Sequence, residues 1–200
     1  MTVAPPPVHV PRPYAFPQTA LAARVEVPTT DGATIVAWTY APDGVTDEPG
    51  TPFGLGLAVP PVLMLHGNGE EHGIFGPVID AVCASGRAVI AVDSRAQGQS
   101  TRGTAPLSYE LMAADAREVC SRLGVPQVHV LGFSDGGILG LLLARDWGEH
   151  VLSVTALGAN LTPAGLPKED TDWMAFAAAE NRRWAEEGEE GVTLEDGTPV

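Results

Sequence analysis

Four short, mainly apolar runs constrain the fold more than any other feature of this chain. They are Val62–Leu65, Ala88–Val92, Val128–Leu131 and Val151–Leu157. Runs that are continuously apolar, rather than alternating, are typical of strands covered on both faces of a sheet. Strands that alternate with helices through short links form right-handed βαβ units and a parallel sheet. The sequence therefore predicts an α/β protein, whose ligands bind beyond the carboxyl ends of the strands.

The segments between and before these runs carry helix and turn signals. Helical spacing predicts one helix near 77–85, a second that is capped by Ser108, and a third over 138–147. Upstream, Arg24–Val27 and Thr34–Tyr40 flank a turn that contains Asp-Gly, which predicts a β-hairpin.

Composition divides the chain into three parts. Residues 1–18 are a Pro-rich tail, 19–160 are the predicted α/β core, and 161–200 are expected to begin a helical lid. In this last part Thr171 is expected to cap a helix over 172–187. Two interpretations of that helix stay open: it covers the strand ends as part of a lid, or it is an ordinary amphipathic core helix.

Charge and hydropathy exclude several classes of function. The net charge is −14 with no basic stripe, so neither nucleic acid nor an anionic membrane is an expected partner. Gly, Pro or charge interrupts every apolar run before it reaches the length of a membrane span. The N-terminus lacks the pattern of a signal peptide, so a cytoplasmic protein is expected. Residues 42–58, rich in Gly, Pro and Asp, are expected to form a surface loop.

The strongest chemical signal is the sequence Gly-Phe-Ser-Asp-Gly-Gly at 132–137. It follows a predicted strand directly and opens a predicted helix directly. A serine at such a turn is held in a strained conformation with its hydroxyl exposed, so Ser134 is predicted to be a nucleophile. Gly132 and Gly136 are expected where strand and helix leave no room for a Cβ atom. The alternative is a simple glycine-rich turn.

A second signal is the His-Gly-Asn-Gly sequence that begins at His66 and follows the first buried run. Acyl transfer needs preorganised donors for an oxyanion. The backbone N–H of Asn68 is the candidate on this turn, which includes Gly67. The N–H of Asp135, at a helix N-terminus, is the second candidate. His66 is expected to brace the turn through hydrogen bonds, although a role as catalytic base is the alternative.

A third polar segment runs from Asp93 to Ser100, after the second buried run. A turn of this kind can fix the end of the strand and line the pocket. Asp93 and Arg95 are expected to be mutual structural partners rather than catalytic groups.

Taken together, these three segments resemble the α/β-hydrolase superfamily, in particular bacterial cap-bearing, esterase-like serine hydrolases. The resemblance covers about residues 24 to 160. It implies a mostly parallel, doubly wound sheet with an antiparallel second strand, and a lid that follows the sixth strand. It also implies that Ser134 lies on the elbow after the fifth strand, with an oxyanion hole from Asn68 and Asp135.

This sequence departs from the family pattern at one turn and lacks part of the expected catalytic triad. The turn after the fourth strand usually reads D-x-R-G-x-G-x-S, but here Ala96 replaces the first glycine and Gln97 replaces a common histidine. A base must reach the serine hydroxyl, yet only His150 follows Ser134. A helix leads away from the elbow at about 1.5 Å per residue, so His150 is expected about 15 Å or more away.

The sequence thus predicts a nucleophile and an oxyanion hole without a base. The resemblance implies that the acid and the histidine lie on two strands beyond Val200, so a truncated chain is expected. A base from another chain is a less favoured alternative. Without later strands, Val151–Leu157 would be an exposed sheet edge, and self-association through that edge is expected.

The predicted function is a serine hydrolase that acts on a carboxylic ester or related small-molecule acyl substrate. Two alternatives remain: a non-catalytic ligand-binding protein of the same fold, or acyl transfer, perhydrolysis or carbon–carbon hydrolysis. No phosphate-binding loop, dinucleotide motif or metal-ligand spacing occurs, so no cofactor and no metal is expected.

Overall fold

In the computed structural model, residues 14–42 and 59–187 are described. The strands are β1 (Leu21–Pro28), β2 (Thr34–Tyr40), β3 (Val62–Leu65), β4 (Val89–Val92), β5 (Val128–Phe133) and β6 (Val151–Leu157). The helices are α1 (Gly76–Ala84), α2 (Tyr109–Arg122), α3 (Asp135–Asp146) and α4 (Lys168–Glu187). Short 3-10 helices span His72–Phe75, Gly148–His150 and Pro163–Gly165. Residues 1–13 of the predicted tail and 43–58 of the predicted loop lie outside the described residues.

The six strands form one sheet in the order β1-β2-β4-β3-β5-β6. The strands β4, β3, β5 and β6 are mutually parallel, whereas β2 runs antiparallel to both β1 and β4. This topology confirms the predicted α/β-hydrolase type of sheet, including its antiparallel second strand. Because β3 and β5 are neighbours, the segments that follow them lie at the same edge of the sheet.

Helices cover both faces of the sheet, which explains the continuous apolar strands. In β3, Leu63 and Leu65 are buried in a cluster that includes Val119 of α2 and Leu139 of α3. The intervening Met64 is buried on the other face, in the cluster that contains residues of α1. Burying residues on both faces removes a large apolar area from water, at about 25 cal/mol per Å².

The turns and caps follow from local chemistry. The hairpin turn closes where the Thr29 N–H donates to the carbonyl of Ala33 at 2.8 Å, and Gly32 takes a φ of 83°. The hydroxyl of Ser108 accepts a hydrogen bond from the N–H of Leu111 at 3.1 Å, which confirms the predicted cap of α2.

Among the described residues, 160–187 belong to a second compact unit. Its helix α4 begins at Lys168, so the prediction that Thr171 caps it is wrong. The carbonyl of Pro167 already accepts a helical bond from the Thr171 N–H at 3.2 Å. The Thr171 hydroxyl instead donates back to the carbonyl of Lys168 at 2.8 Å. That this unit belongs to a lid stays a prediction.

No helix among the described residues combines the length and the apolar character that crossing a bilayer requires.

The last strand of the sheet presents an apolar edge. Within the described ranges β6 pairs with β5 alone, and its Leu152 and Leu157 are 44% and 49% exposed. We expect the 200-residue polypeptide, expressed by itself, to elute above its monomer mass in size-exclusion chromatography with light scattering. Leu152→Lys should shift it toward the monomer, because a charge disfavours edge pairing. A compact, cooperatively melting monomer without that substitution would contradict this prediction.

Candidate active site

The turn between β5 and α3 consists of one residue, Ser134. Its φ of 51° and ψ of −116° lie in a region that non-glycine residues rarely adopt, at a cost of about 1–3 kcal/mol. Hydrogen bonds hold it there from both sides. The Ser134 N–H donates to the carbonyl of Leu157 in β6 at 2.7 Å, and the Ser134 carbonyl accepts from the Gly137 N–H at 2.9 Å.

The glycines on either side of the serine lie at close approaches between backbone segments. A Cβ atom built on Gly132 would be 2.2 Å from the carbonyl oxygen of Gly136. A Cβ atom on Gly136 would be 1.9 Å from the carbonyl oxygen of Leu65 in β3. The turn can therefore form only where these two positions have no side chain.

The His-Gly-Asn-Gly turn after β3 lies directly beside the serine. A Cβ atom built on Gly67 would be 3.1 Å from the Cβ of Ser134 and 2.8 Å from Oε2 of Glu70. The Glu70 carboxylate is therefore within about 6 Å of the serine Cβ, a range in which a charge acts on a reacting group.

Two backbone donors near Ser134 have no acceptor among the residues that the structure describes. Asp135 is the first residue of α3, where the N–H has no intrahelical partner. In the part of the chain that the structure describes, the N–H of Asn68 donates to no protein atom. The N–H groups on either side of it are engaged: that of Gly67 by Glu70 at 2.9 Å, and that of Gly69 by Gln97 at 2.6 Å.

His66 connects the turns that follow β3 and β4. Its Nε2 accepts from the N–H of Ser94 at 2.9 Å, so its Nδ1 carries the proton and donates to the carbonyl of Gly67 at 2.8 Å. Burial lowers the pKa of His66, which keeps the ring neutral. With both nitrogens engaged, this ring has none to offer the serine hydroxyl as a base.

The expected pairing of Asp93 with Arg95 is wrong, because each has other partners. The buried Arg95 guanidinium binds Asp115 through two hydrogen bonds of 2.8 Å and binds Asp31 at 2.8 Å. Hydrogen bonds from Thr29, the Ala105 N–H and Arg95 hold the pKa of Asp31 well below its usual range. This ion cluster joins the hairpin turn, the turn after β4 and helix α2.

The carboxylate of Asp93 points to different neighbours because the chain turns after β4, where the Gln97 N–H donates to the carbonyl of Ser94 at 2.9 Å. Oδ1 of Asp93 accepts from the N–H and the Nδ1 of His72, each at 2.9 Å. Oδ2 accepts from the Trp38 indole at 3.2 Å and, at 3.0 Å, from a further N–H of the turn. The Trp38 and His72 rings stack with centroids 4.3 Å apart.

The only group that combines several metal-ligand side chains in the described residues is Glu71, His72 and Asp93. Their ligand atoms lie within 4.8 Å of one another. Both oxygens of Asp93 already accept N–H donors, so a cation would have to displace those bonds. These side chains are therefore explained as structural contacts that join β2, β4 and the 3-10 helix His72–Phe75.

We expect the protein to lose stability in acid as Asp93 is protonated. Burial alone would raise the pKa of Asp93, but hydrogen bonds from the His72 side chain and from the N–H groups of Gln99 and His72 hold it at about 2. An unfolded aspartate titrates near pH 3.9, so this contribution is complete above about pH 4 and disappears as the pH falls toward 2. Urea unfolding at successive pH values should show the free energy of unfolding falling over this range. The fall should be smaller in Asp93→Asn. An equal decrease in both proteins would assign it to other groups.

Two of the described histidines, His129 and His150, are held away from Ser134 by their places in the sheet. His150 precedes β6, and its Nδ1 lies 2.7 Å from the carbonyl of Pro126. Because Ser134 is bonded at the far end of β6, His150 is a full strand away, roughly 20 Å. His129 lies within β5 and contacts Ser153 at 2.8 Å.

Sequence reasoning missed three side chains around the site. Glu70 and Gln97 bind the amides beside Asn68, and Tyr109 donates its hydroxyl to the Asp135 carboxylate at 3.0 Å. Burial and the nearby Asp135 raise the pKa of Tyr109 to about 12. The spacing of three residues between Gly67 and Glu70, similar to a capping box, was a usable signal. Gln97 was noted as a departure from the family pattern, but nothing local indicated that it binds Gly69, and nothing local indicated Tyr109.

Comparison with known proteins supports the fold and identifies relatives. Over 95 residues the chain is 38% identical to a protein of Azorhizobium caulinodans named carbamate hydrolase RutD, a match that covers 48% of this chain and 36% of that protein. It is 32% identical over 120 residues to the rhodomycin D methylesterase DnrP of Streptomyces peucetius, covering 56% of this chain and 40% of that protein. The chain thus spans less than half the length of these two relatives.

A solved structure agrees with the fold. The esterase of Exiguobacterium antarcticum superposes with a TM-score of 0.62 at 25% identity, covering 78% of this chain and 56% of that one. Residues 60–194 match the family described as the alpha/beta hydrolase fold. These residues include β3 to β6, the serine turn and the turn beside it. The chain belongs to the α/β-hydrolase fold family.

Proposed function

We propose that this chain carries the nucleophile and the oxyanion hole of a serine hydrolase that cleaves carboxylic esters or related acyl substrates. The observation that carries the proposal is the strained Ser134, which adjoins a turn whose Asn68 N–H has no protein acceptor in the described residues. Strain at one residue, held by bonds on both sides, is typical of functional sites.

In the proposed reaction, the Ser134 hydroxyl oxygen attacks the substrate carbonyl carbon. The carbonyl oxygen becomes an oxyanion and accepts hydrogen bonds from the N–H groups of Asn68 and Asp135. The hydroxyl proton passes to a base, which gives it to the leaving group as the intermediate collapses to an acyl-serine. Water then attacks the acyl-serine, and the acid product leaves as the serine hydroxyl is restored. Resemblance to the family assigns base and acid to strands later in the chain order than β6, so the activity of the whole protein is part of this proposal.

The names of the relatives favour this class of substrate. They are a carbamate hydrolase, a methylesterase and an esterase. Carbamates and esters share a carbonyl carbon bonded to a heteroatom, which is the bond that a serine nucleophile and an oxyanion hole cleave.

The test is covalent labelling with a fluorophosphonate probe, followed by mapping of the labelled peptide by mass spectrometry. It uses the protein expressed from its complete coding sequence, in parallel with hydrolysis of p-nitrophenyl acetate. We expect the label on Ser134 and a rate of hydrolysis that falls as labelling proceeds. A label on another residue, or hydrolysis that survives complete labelling of Ser134, would refute the proposed nucleophile.

One observation favours a second candidate, a ligand-binding protein without catalysis. None of the four histidines in residues 14–42 and 59–187 forms a hydrogen bond with Ser134; each instead contacts another group. If the complete protein binds acyl compounds but neither hydrolyses them nor reacts with the fluorophosphonate, this second candidate replaces the first.

A further inference from the structure

We propose that Glu70 and Gln97 are positioning residues that set the direction of the Asn68 N–H. The inference rests on the proposed function, because it assigns these two side chains to the oxyanion hole of that hydrolase. Neither residue has to touch the substrate.

Glu70 fixes the turn on the side that precedes Asn68. Its Oε2 accepts from the Gly67 N–H at 2.9 Å, while its own N–H lies 3.4 Å from the Gly67 carbonyl oxygen. These reciprocal contacts close a turn of four residues, as a capping box closes the start of a helix. Gly67 is therefore held at its N–H and at its carbonyl oxygen, and that carbonyl belongs to the same peptide group as the Asn68 N–H.

Gln97 fixes the turn on the side that follows Asn68. Its Oε1 accepts from the Gly69 N–H at 2.6 Å, although it comes from the separate turn after β4. The backbone of Gln97 is itself fixed. Its N–H donates to the carbonyl of Ser94 at 2.9 Å, and its carbonyl accepts from the Ser100 N–H at 3.0 Å. Ser94 is tied in turn to the buried ring of His66.

The consequence concerns the peptide groups around Asn68. Gly69 has a φ of 74°, and a Cβ atom built on it would meet nothing within 4 Å. Steric contacts of this residue therefore do little to fix the neighbouring peptide planes. With the amides of Gly67 and Gly69 bound, the Asn68 N–H between them has a defined direction before any substrate arrives. Preorganisation of this kind decides how well a donor stabilises an oxyanion.

The test compares variants of the protein expressed from its complete coding sequence. Gln97→Met keeps the length of the side chain and removes its acceptor, and Glu70→Ala removes the acceptor on the other side. We expect each to lower kcat for p-nitrophenyl acetate about tenfold while KM changes less than about twofold. Loss of a whole oxyanion donor lowers kcat by about 10² to 10³, and a misdirected donor should cost less. Glu70→Gln keeps an acceptor oxygen without the charge and should restore kcat to within about threefold of the starting value.

Gln99→Met is the matched control. Gln99 lies in the same turn as Gln97, but its side chain accepts from Arg24 at 2.9 Å, and so kcat should be unchanged. If the starting protein does not hydrolyse the ester, the proposed function fails. If it does, and Glu70→Ala and Gln97→Met keep the kcat of Gln99→Met, the positioning inference fails while the proposed function stands.

Hydrogen exchange at the Gly69 N–H, measured by NMR, tests the Gln97 contact without turnover. Exchange should be faster in Gln97→Met than in Gln99→Met, because only the first substitution removes the acceptor of that N–H. Equal exchange rates would overturn the inference, and so would a kcat of Glu70→Gln as low as that of Glu70→Ala.

Discussion

Replacing Ser134 by alanine should lower hydrolysis by the complete protein by roughly 10⁴-fold or more, because the oxyanion donors alone retain only a small part of the catalysis. Stability should change little, since alanine keeps the same disfavoured φ of 51°. Replacing Ser134 by glycine should abolish hydrolysis equally. It should also raise the free energy of unfolding by about 1 kcal/mol, since glycine adopts this conformation without the strain of a side chain.

Urea unfolding and p-nitrophenyl acetate hydrolysis, measured on the same three proteins, check both halves of this prediction. The pair of substitutions separates strain from chemistry, because only the glycine variant relieves the backbone. A glycine variant less stable than the alanine variant would show that Ser134 stores no strain. Hydrolysis that persists in either variant would remove Ser134 from the reaction.

Replacing Gly136 by alanine should prevent folding. The new Cβ atom would lie 1.9 Å from the carbonyl oxygen of Leu65 and 2.3 Å from its carbonyl carbon. Both atoms belong to Leu65, which is fully buried in β3 between two neighbouring strands, so they cannot move aside. We expect a loss of stability above about 4 kcal/mol, the range reserved for severe core disruptions.

Gly148→Ala is the matched control for this substitution. A Cβ atom at Gly148 would meet nothing within 4 Å, so its stability should change by less than about 1 kcal/mol. Thermal unfolding followed by circular dichroism distinguishes the two variants. A Gly136→Ala protein that melts within a few degrees of the control would show that α3 can move away from β3 at little cost.

The sequence predicted those parts of the molecule that depend on neighbours in the chain. The order of strands and helices was predictable because each buried strand is a short apolar run between turn signals. The turn at Ser134 was predictable for the same reason: strand, serine, glycines and helix all lie within a few consecutive residues. The cap at Ser108 likewise needs only the N–H of Leu111, three residues away.

The errors arose where partners are distant in sequence or where two local signals compete. Arg95 binds Asp31, 64 residues earlier, because β4 lies next to β2 in the sheet. Gln97 binds Gly69, 28 residues earlier, because β4 also lies next to β3. The start of α4 was misplaced because the helix already begins at Lys168, and the Pro167 carbonyl accepts a helical bond from the Thr171 N–H.

The bond between the Ser134 N–H and the Leu157 carbonyl has a consequence for synthesis of the protein. When the serine turn emerges from the ribosome, its acceptor, which lies 23 residues further on, has not yet emerged. Until Leu157 emerges and β6 joins the sheet, the serine backbone can relax into an ordinary conformation. The strained backbone conformation of Ser134 is therefore set only when the strand beyond it is in place.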